Sequence, residues 1–351
     1  MPSSIPFRVI LRFITQLIKL GLWGYAAAVL VMLAFLLLDR TDIALVEFAK
    51  SGLWLGLWTV VPMFGLAALL ERRAALLMLP VLVALLLRTA DYLYSPVPSV
   101  PEEAQRLTVM TFNVLRDDGG AEAVEQVIRR SGADVVALQE FGLNTAAYLA
   151  QALAVEYPYQ ALHPQADHFR GQGVFSRYPI LADDYWQFTD LPRMPFTNLV
   201  RSHGHQRVEI DVNGQAIVVY NVHPWPPLEW QGALRFTVEP MSDESHQLTV
   251  RRLLHRAEQE TLPTLMVGDF NMSDTFEEYA LVTAHLTDSQ RSAGRGFGHT
   301  YPARGLGPLP ALIRLDYVFH DAGFISIQAR TLDQYARSDH RPVLVELALL
   351  P

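Results

Sequence analysis

Uncharged, mostly apolar residues run without a break from Leu20 to Leu38 and from Ser51 to Leu70, 19 and 20 residues. Each run is long enough for a helix to cross the hydrocarbon core of a bilayer. A third run, Ala74 to Leu87, has 14 uncharged residues and reaches 21 if it continues to Tyr94. Arg88 would then snorkel, with Tyr92 and Tyr94 at the interface. Trp23, Trp54 and Trp58 suit interfacial or lipid-facing positions. A cleaved signal peptide over Phe7–Leu38, with Arg8, Arg12 and Lys19 as its basic region, fits less well. Its apolar stretch exceeds the roughly 7–15 residues such peptides use, and further apolar runs follow. The pattern therefore predicts a membrane anchor over 1–94 with three transmembrane helices at 20–38, 51–70 and 74–94. A Pro-rich linker over 95–104, stiff and extended, leads to a soluble domain over 105–351.

Beyond the linker the apolar positions shorten into strand-like and helix-like segments. Leu107–Val114 and Asp134–Leu138 read as strands separated by a helix at Glu122–Arg130. Arg207–Val212 and Gln215–Val222 flank Asn213-Gly214, a strong hairpin signal. A helix over Ser245–Gln259 leads to a strand at Thr264–Val267, and Arg314–Phe319 and Pro342–Leu347 complete the set. Hairpins and crossovers both occur, so the expected architecture is α/β, with mixed sheets layered by helices.

Charge divides the chain in the same place. Residues 1–100 carry eight basic and five acidic side chains (+3), and the remainder carries 20 and 31 (−11), giving −8 in all. Only 18% of residues are charged, below the roughly 25% usual for soluble chains. Arg8, Arg12 and Lys19 precede the first apolar run, and Arg72 and Arg73 follow the second. The positive-inside rule then places the N-terminus in the cytoplasm. Three spans put the soluble domain outside; two would leave it inside. The expected location is thus the cell membrane, multi-pass, with an extracytoplasmic domain. The chain has no cysteine, which excludes disulfides, thiolate metal sites and cysteine nucleophiles.

Polar residues interrupt the soluble strands at their ends. Asn113 ends the first and Glu140 the second, while Asn221 and His223 end the hairpin. Asp269 and Asn271 end the next strand, and if the chain stays extended they point the same way. Asp316 lies inside an apolar strand, and Asp339-His340 precedes the last. Singly, most have ordinary explanations: turn or cap residues, a solvated loop carboxylate, a buried histidine with its partners. Asp316 is harder to explain so, because an unpaired buried carboxylate costs several kcal/mol. Gathered at one edge, these groups would suit a hard cation such as Mg²⁺ or Mn²⁺ and the activation of water.

The ordered motifs LTVMTFNV, DVVALQE, QGVFSRYPI, VYNVHP, VGDFN, RLDYVF and SDHRPV resemble the endonuclease/exonuclease/phosphatase superfamily over about residues 105–350. The resemblance implies a four-layer α/β sandwich, two packed mixed sheets flanked by helices. It makes Glu140 the principal metal ligand, with Asn113 and Asp339 close to the ion. It gives Asp269 and Asn271 the water and the phosphate, and makes Asp316 the partner that orients His340. His340 would act as base or stabilise the transition state, and His223 would protonate the leaving oxygen or hold the phosphate.

His223 stands where apurinic endonucleases carry tyrosine, and the inositol 5-phosphatase signatures are absent. A domain at −11 without lysine argues against tight non-specific duplex binding. Trp225 and Trp230, in a Pro-stiffened loop after His223, are candidates to contact a lipid or stack on a base, or simply to pack on their own loop. Gly294–Gly307 is either a phosphate-contacting rim or a connector. The expected activity is therefore that of a membrane-anchored, metal-dependent phosphodiesterase acting on a phospholipid head group or nucleic acid. Its expected partners are the bilayer and that substrate, with no protein partner called for. The contrasting expectation is a non-catalytic tethered scaffold that binds phosphorylated ligands.

Overall fold

The structure is a computed structural model that describes residues 7–38, 53–93, 99–118, 120–166, 169–192, 202–226, 243–305, 307 and 310–351. It divides into two compact units, Met1–Asp91 and Tyr92–Pro351. Tyr94, residues 95–98 of the Pro-rich linker and Trp230 lie outside the described residues.

The first unit holds helices α1 (Phe7–Leu37), α2 (Leu53–Leu70) and the body of α3 (Arg72–Leu93). Helix α1 begins well before the expected Leu20. Phe7 to Lys19 is free of Gly and Pro, so nothing in it stops a helix from extending. Two helices, Phe7–Leu37 and Arg72–Ala90, are long and apolar enough to cross a membrane, and Trp54–Leu70 is a shorter apolar helix. The third run is therefore a continuous helix through Arg88, despite its short uncharged core. Leu22, Ala26, Val60, Ala67, Ala74 and Met78 pack together between these helices. Lys19 Nζ lies 3.4 Å from Glu71 Oε2.

The second unit contains β1 (Gln105–Asn113), α4 (Ala121–Ser131), β2 (Val135–Gln139), α5 (Leu143–Ala152), β3 (Tyr159–His163), β4 (Gln172–Ser176) and β5 (Ile180–Trp186). It continues with β6 (His205–Val212), β7 (Gln215–Val222), α6 (Asp243–Glu258), β8 (Thr264–Asp269), α7 (Glu277–Thr283) and β9 (Thr287–Asp288). Then follow α8 (Ser289–Ala293), β10 (Asp316–His320), β11 (Phe324–Thr331) and β12 (Val343–Leu349). Two six-stranded sheets form, in the orders β11-β12-β1-β2-β4-β3 and β5-β6-β7-β8-β10-β9. Each contains one parallel pair, β1/β2 and β7/β8, the remaining pairs being antiparallel. A parallel pair needs a crossover; α4 supplies the first and α6 lies within the second. The hairpin turn is where Asn213-Gly214 placed it, with φ of 51° and 93°.

Alternation along the strands builds the layers. Leu107 and Val109, Val135 and Ala137, Ile217 and Val219, and Leu265 and Val267 meet between the two sheets. The residues between them face outward: Met110 and Phe112 under α4 and α5, Val218, Tyr220 and Met266 under α6 and α7. The result is the expected four-layer α/β sandwich. Continuing the inward parity to the strand ends reaches Asn113, Gln139, Asn221, Asp269 and Asp316. One end of the apolar interior thus becomes polar, between the sheets.

Candidate active site

Cross-sheet hydrogen bonds form the floor of this polar end. Gln139 Nε2 donates to Asn221 Oδ1 at 2.7 Å and to Thr111 Oγ1 at 2.9 Å, while Asn221 Nδ2 donates to the Leu138 carbonyl at 3.0 Å. Asn221 is thus a strut joining β7 to β2. Above it, Asn113 Nδ2 donates to Glu140 Oε1 at 3.1 Å and to Asp269 Oδ2 at 3.0 Å. Asn113 Oδ1 accepts from the Leu115 amide at 3.0 Å, so its amide holds two carboxylates side by side.

Glu140 follows β2 at φ 52°, a left-handed conformation uncommon for a residue with a Cβ. Burial pushes its carboxyl up to about 7, against the hydrogen bond from Asn113 and the charge of His340; Asp269 and Asp339 push the same way as burial. Glu140 Oε2, Asp339 Oδ1 and Asp316 Oδ1 are buried without hydrogen-bond partners among the described residues. Glu140 and Asp339 are thus near enough to repel, and each carries an oxygen with nothing to receive.

Asp269 ends β8. Its Oδ1 accepts from the Asn271 amide at 2.9 Å, and burial raises its pKa despite the neighbouring imidazoles. His340 Nε2 lies 3.6 Å and His223 Nε2 3.5 Å from Asp269 Oδ2. The chain does not stay extended past Asp269, so the condition under which Asp269 and Asn271 would point the same way does not hold. Asn271 turns left-handed at φ 50°, and its side chain donates to the Pro224 carbonyl at 3.0 Å, tying this turn to the one after His223.

His340 Nδ1 and Asp316 Oδ2 are 2.8 Å apart. The loop that carries His340 is fixed by Ser338, whose hydroxyl donates to the Asn113 carbonyl at 2.7 Å and accepts from the His340 amide at 3.0 Å. Burial opposes charging of His340, but Asp316, Asp269 and Asp339 outweigh it and hold its pKa well above the usual histidine range. Burial pushes His223 the other way, down to about 4, with Asp269 resisting and His340 assisting. Two imidazoles on one carboxylate are thus pushed in opposite directions, a separation suited to distinct acid–base tasks.

Asp269, Asp316 and His340 each bring a donor atom within 4.8 Å of the others. That trio is better read as a proton-handling array than as a metal cage, because His340 Nδ1 is already hydrogen-bonded to Asp316 and Asp269 Oδ2 to Asn113. The carboxylate oxygens left open to a cation among these residues are Glu140 Oε2, Asp339 Oδ1 and Asp316 Oδ1.

Sequence reasoning missed three histidines here. His203 packs on His223 with ring centroids 4.0 Å apart and on Trp225 at 4.4 Å, and His205 Nδ1 accepts from the His223 amide at 3.3 Å. His246 is bonded to the Phe270 carbonyl. The i, i+2 spacing of His203 and His205 at the mouth of a strand was the available signal. Within Gly294–Gly307, Thr300 Oγ1 accepts from the Leu315 and Asp316 amides, Ala303 N donates to the Asp339 carbonyl at 2.7 Å, and Tyr301 packs 5.0 Å from the His340 ring. The segment braces both halves of the dyad.

The Endonuclease/Exonuclease/phosphatase family model matches residues 110–340. No curated protein matches the sequence significantly. Among solved structures, an endonuclease/exonuclease/phosphatase from Bacteroides vulgatus is similar over 70% of this chain and 99% of its own, at TM-score 0.56 and 18% identity. TDP2 from D. rerio, complexed with a single strand DNA product, is similar over 69% and 99%, at TM-score 0.52 and 16% identity. A mannosyl-6-phosphatase from Bacteroides thetaiotaomicron is similar over 69% and 99%, at TM-score 0.50 and 19% identity. At these identities the likeness is one of fold.

Proposed function

The chain belongs to the Endonuclease/Exonuclease/phosphatase family, and from that premise we propose that it is a divalent-metal-dependent phosphodiesterase held at a membrane by its N-terminal helices. The observation that carries this reading is the Asp316–His340 pair set beside the buried carboxylates of Glu140 and Asp269. Fold alone does not fix a function; the argument rests on these groups.

The donor set fits a hard cation. Glu140 and Asp339 each present a buried oxygen without a partner, and oxygen donors are what Mg²⁺ or Mn²⁺ prefer. Glu140 and Asp339 would hold the ion, with Asn113 beside them. A bound ion supplies neutralisation of phosphoryl oxygens. The protein's own groups do the rest. Asp269, made more basic by burial, orients the attacking water and takes its proton. His340, kept cationic by its carboxylate neighbours, faces the charge that builds on the phosphoryl oxygens. The new P–O bond to water forms as the bond to the leaving oxygen breaks.

For substrate, a membrane tether favours a phospholipid head group, with nucleic acid the rival. One fold relative was solved with a DNA product and another is a sugar phosphatase, so both chemistries belong in the screen. A non-catalytic scaffold is disfavoured because every polar position expected of the site is filled. The test is hydrolysis by the full chain in detergent or nanodiscs of bis(p-nitrophenyl) phosphate, phospholipid vesicles, single- and double-stranded DNA, and sugar phosphates. Mg²⁺ should support turnover and EDTA abolish it. Glu140→Ala, Asp269→Ala and His340→Ala should each cost about a hundredfold or more. Metal-independent turnover, or wild-type rates in all three variants, would overturn the reading.

A further inference from the structure

His246 lies in the first turn of α6 and is fully buried. Its Nε2 is 2.9 Å from the carbonyl oxygen of Phe270, and its Nδ1 is 3.4 Å from Oε1 of Glu278. Glu278 is 3% exposed, in the first turn of α7. A carbonyl oxygen only accepts, so Nε2 donates to it, which leaves Nδ1 facing the Glu278 carboxyl across the longer contact. Burial opposes the charge on Glu278, but the hydrogen bond from His246 and that residue's charge, with its own backbone amide and Arg251, hold its pKa low. The helix N-terminus also favours an anion there. The bridge Glu278–His246–Phe270 therefore connects two helices to the turn that follows β8.

That turn carries Asp269 and Asn271 on either side of Phe270. It is a strained place: Asn271 sits at φ 50°, and such conformations persist where surrounding structure over-determines them. The Phe270 amide donates to the Leu315 carbonyl at 2.9 Å, fixing one face of the peptide plane chain. His246 fixes the carbonyl on the other side. Around them lies an apolar cluster of Val250, Phe270, Met272, Val282 and Tyr317, where an apolar pair would pack as well as this polar bridge or better.

We infer that His246 is a positioning residue, which pins the Phe270 carbonyl through the Glu278–His246 bridge and so holds the turn that sets the Asp269 carboxylate where it orients the attacking water. The inference rests on the hydrolytic reading above. Misplacement of a reacting group by about 1 Å costs on the order of a hundredfold in rate, and that is what loss of the bridge should show.

The experiment uses the full chain and two readouts. Substitution His246→Leu should lower kcat on bis(p-nitrophenyl) phosphate roughly 10- to 100-fold with KM little changed. It should also speed amide hydrogen exchange across residues 266–274 without affecting β1. His246→Gln, which keeps a donor for the Phe270 carbonyl, should recover much of both. The double variant His246→Leu with Glu278→Leu removes the stranded carboxylate and should restore thermal stability, while kcat and exchange stay altered. If the double variant recovers kcat and protection together with stability, the bridge is only structural and the inference fails. It fails too if His246→Leu changes neither readout. An inactive wild type would overturn the hydrolytic reading instead, and the exchange data would still decide whether the bridge holds the turn.

Discussion

His340 Nδ1 meets Asp316 Oδ2 at 2.8 Å, joining the loop before β12 in one sheet to the first residue of β10 in the other. The contact fixes the imidazole's tautomer, because a carboxylate can only accept and Nδ1 must carry the hydrogen. It leaves Nε2 toward Asp269. The same carboxylate stabilises the charged ring, so orientation and charge come from one bond.

Replacing Asp316 by asparagine keeps the shape and removes both effects. An amide can present its NH₂ to Nδ1, which favours the wrong tautomer, and it withdraws the charge that holds His340 protonated. We expect Asp316→Asn to lower kcat by about 10²–10⁴-fold with KM changed little. Steady-state kinetics on a soluble diester check this. Loss confined to KM would mean that Asp316 serves binding alone.

The dyad was legible in the sequence and its support was not. Asp316 interrupts an apolar strand and His340 precedes another, and the resemblance carried by RLDY and SDH implied that the two would pair. Strand parity explains Asn113 and Asp269. It cannot foresee Asn271, because the chain leaves the strand at Asp269 and turns left-handed; nothing in Phe270-Asn271 distinguishes that from one more extended residue. His246 was invisible for another reason. It reaches the site through a helix packed from a distant segment, and its signal is a polar residue on an otherwise ordinary amphipathic helix. The strands β3, β4, β5, β9 and β11 were missed as well. Ile180–Trp186 is an edge strand with mostly exposed residues, where burial imposes no apolar pattern. Thr300 braces Asp316 from an irregular segment whose composition reads as a loop.

Glu140 links metal binding to pH. With the metal removed, burial holds its carboxyl up to about 7, above the roughly 4.3 of an exposed glutamate. A raised folded pKa means that the native state keeps a proton the unfolded state has lost. Its contribution to stability is thus full below about 4.3 and is lost as pH rises through about 7. A cation replaces the proton. We expect the increase in Tm produced by Mg²⁺ to grow from pH 5.5 to pH 8, and this growth to flatten in Glu140→Gln. Thermal unfolding of the EDTA-treated chain with and without Mg²⁺ measures it. An Mg²⁺ shift independent of pH in the wild type would place the ion elsewhere.

Gly268 lies where the parallel pair β7/β8 brings two backbones together beside Asp269. Its φ is 145°, and a Cβ there would stand 1.9 Å from the Val222 carbonyl oxygen. Backbone on both sides leaves nothing that can rotate away. Gly268→Ala should therefore destabilise the second unit by roughly 3 kcal/mol or more, and the surviving folded fraction should turn over slowly because Asp269 is displaced. Gly214→Ala is the control: its φ is also positive, but nothing lies within 4 Å of the added Cβ, so it should cost about 1 kcal/mol. Equal losses at both positions would show that backbone conformation alone, and not the close approach, sets the cost.

The first unit carries a prediction of membrane topology. Lys19, on α1, lies 3.4 Å from Glu71, between α2 and α3, so the two belong at the same level. Arg8 and Arg12 precede Lys19, and Arg72 and Arg73 follow Glu71, so the positive-inside rule predicts that level to be the cytoplasmic one. On that expectation helix α1 would lead outward, α2 would return and α3 would lead outward again. Helix α3 has 22 residues, about 33 Å at 1.5 Å per residue, which matches the roughly 30 Å hydrocarbon core. Arg88 lies within its last two turns, where a long side chain can snorkel to the interface. The second unit is thus expected on the extracytoplasmic face. Alkaline phosphatase fused after Leu350 should be active, and a fluorescent protein that matures only in the cytoplasm should stay dark. The reverse pair of results would mean that one of the three helices does not cross, and would move the expected substrates from external lipid or nucleic acid to cytoplasmic phosphoesters.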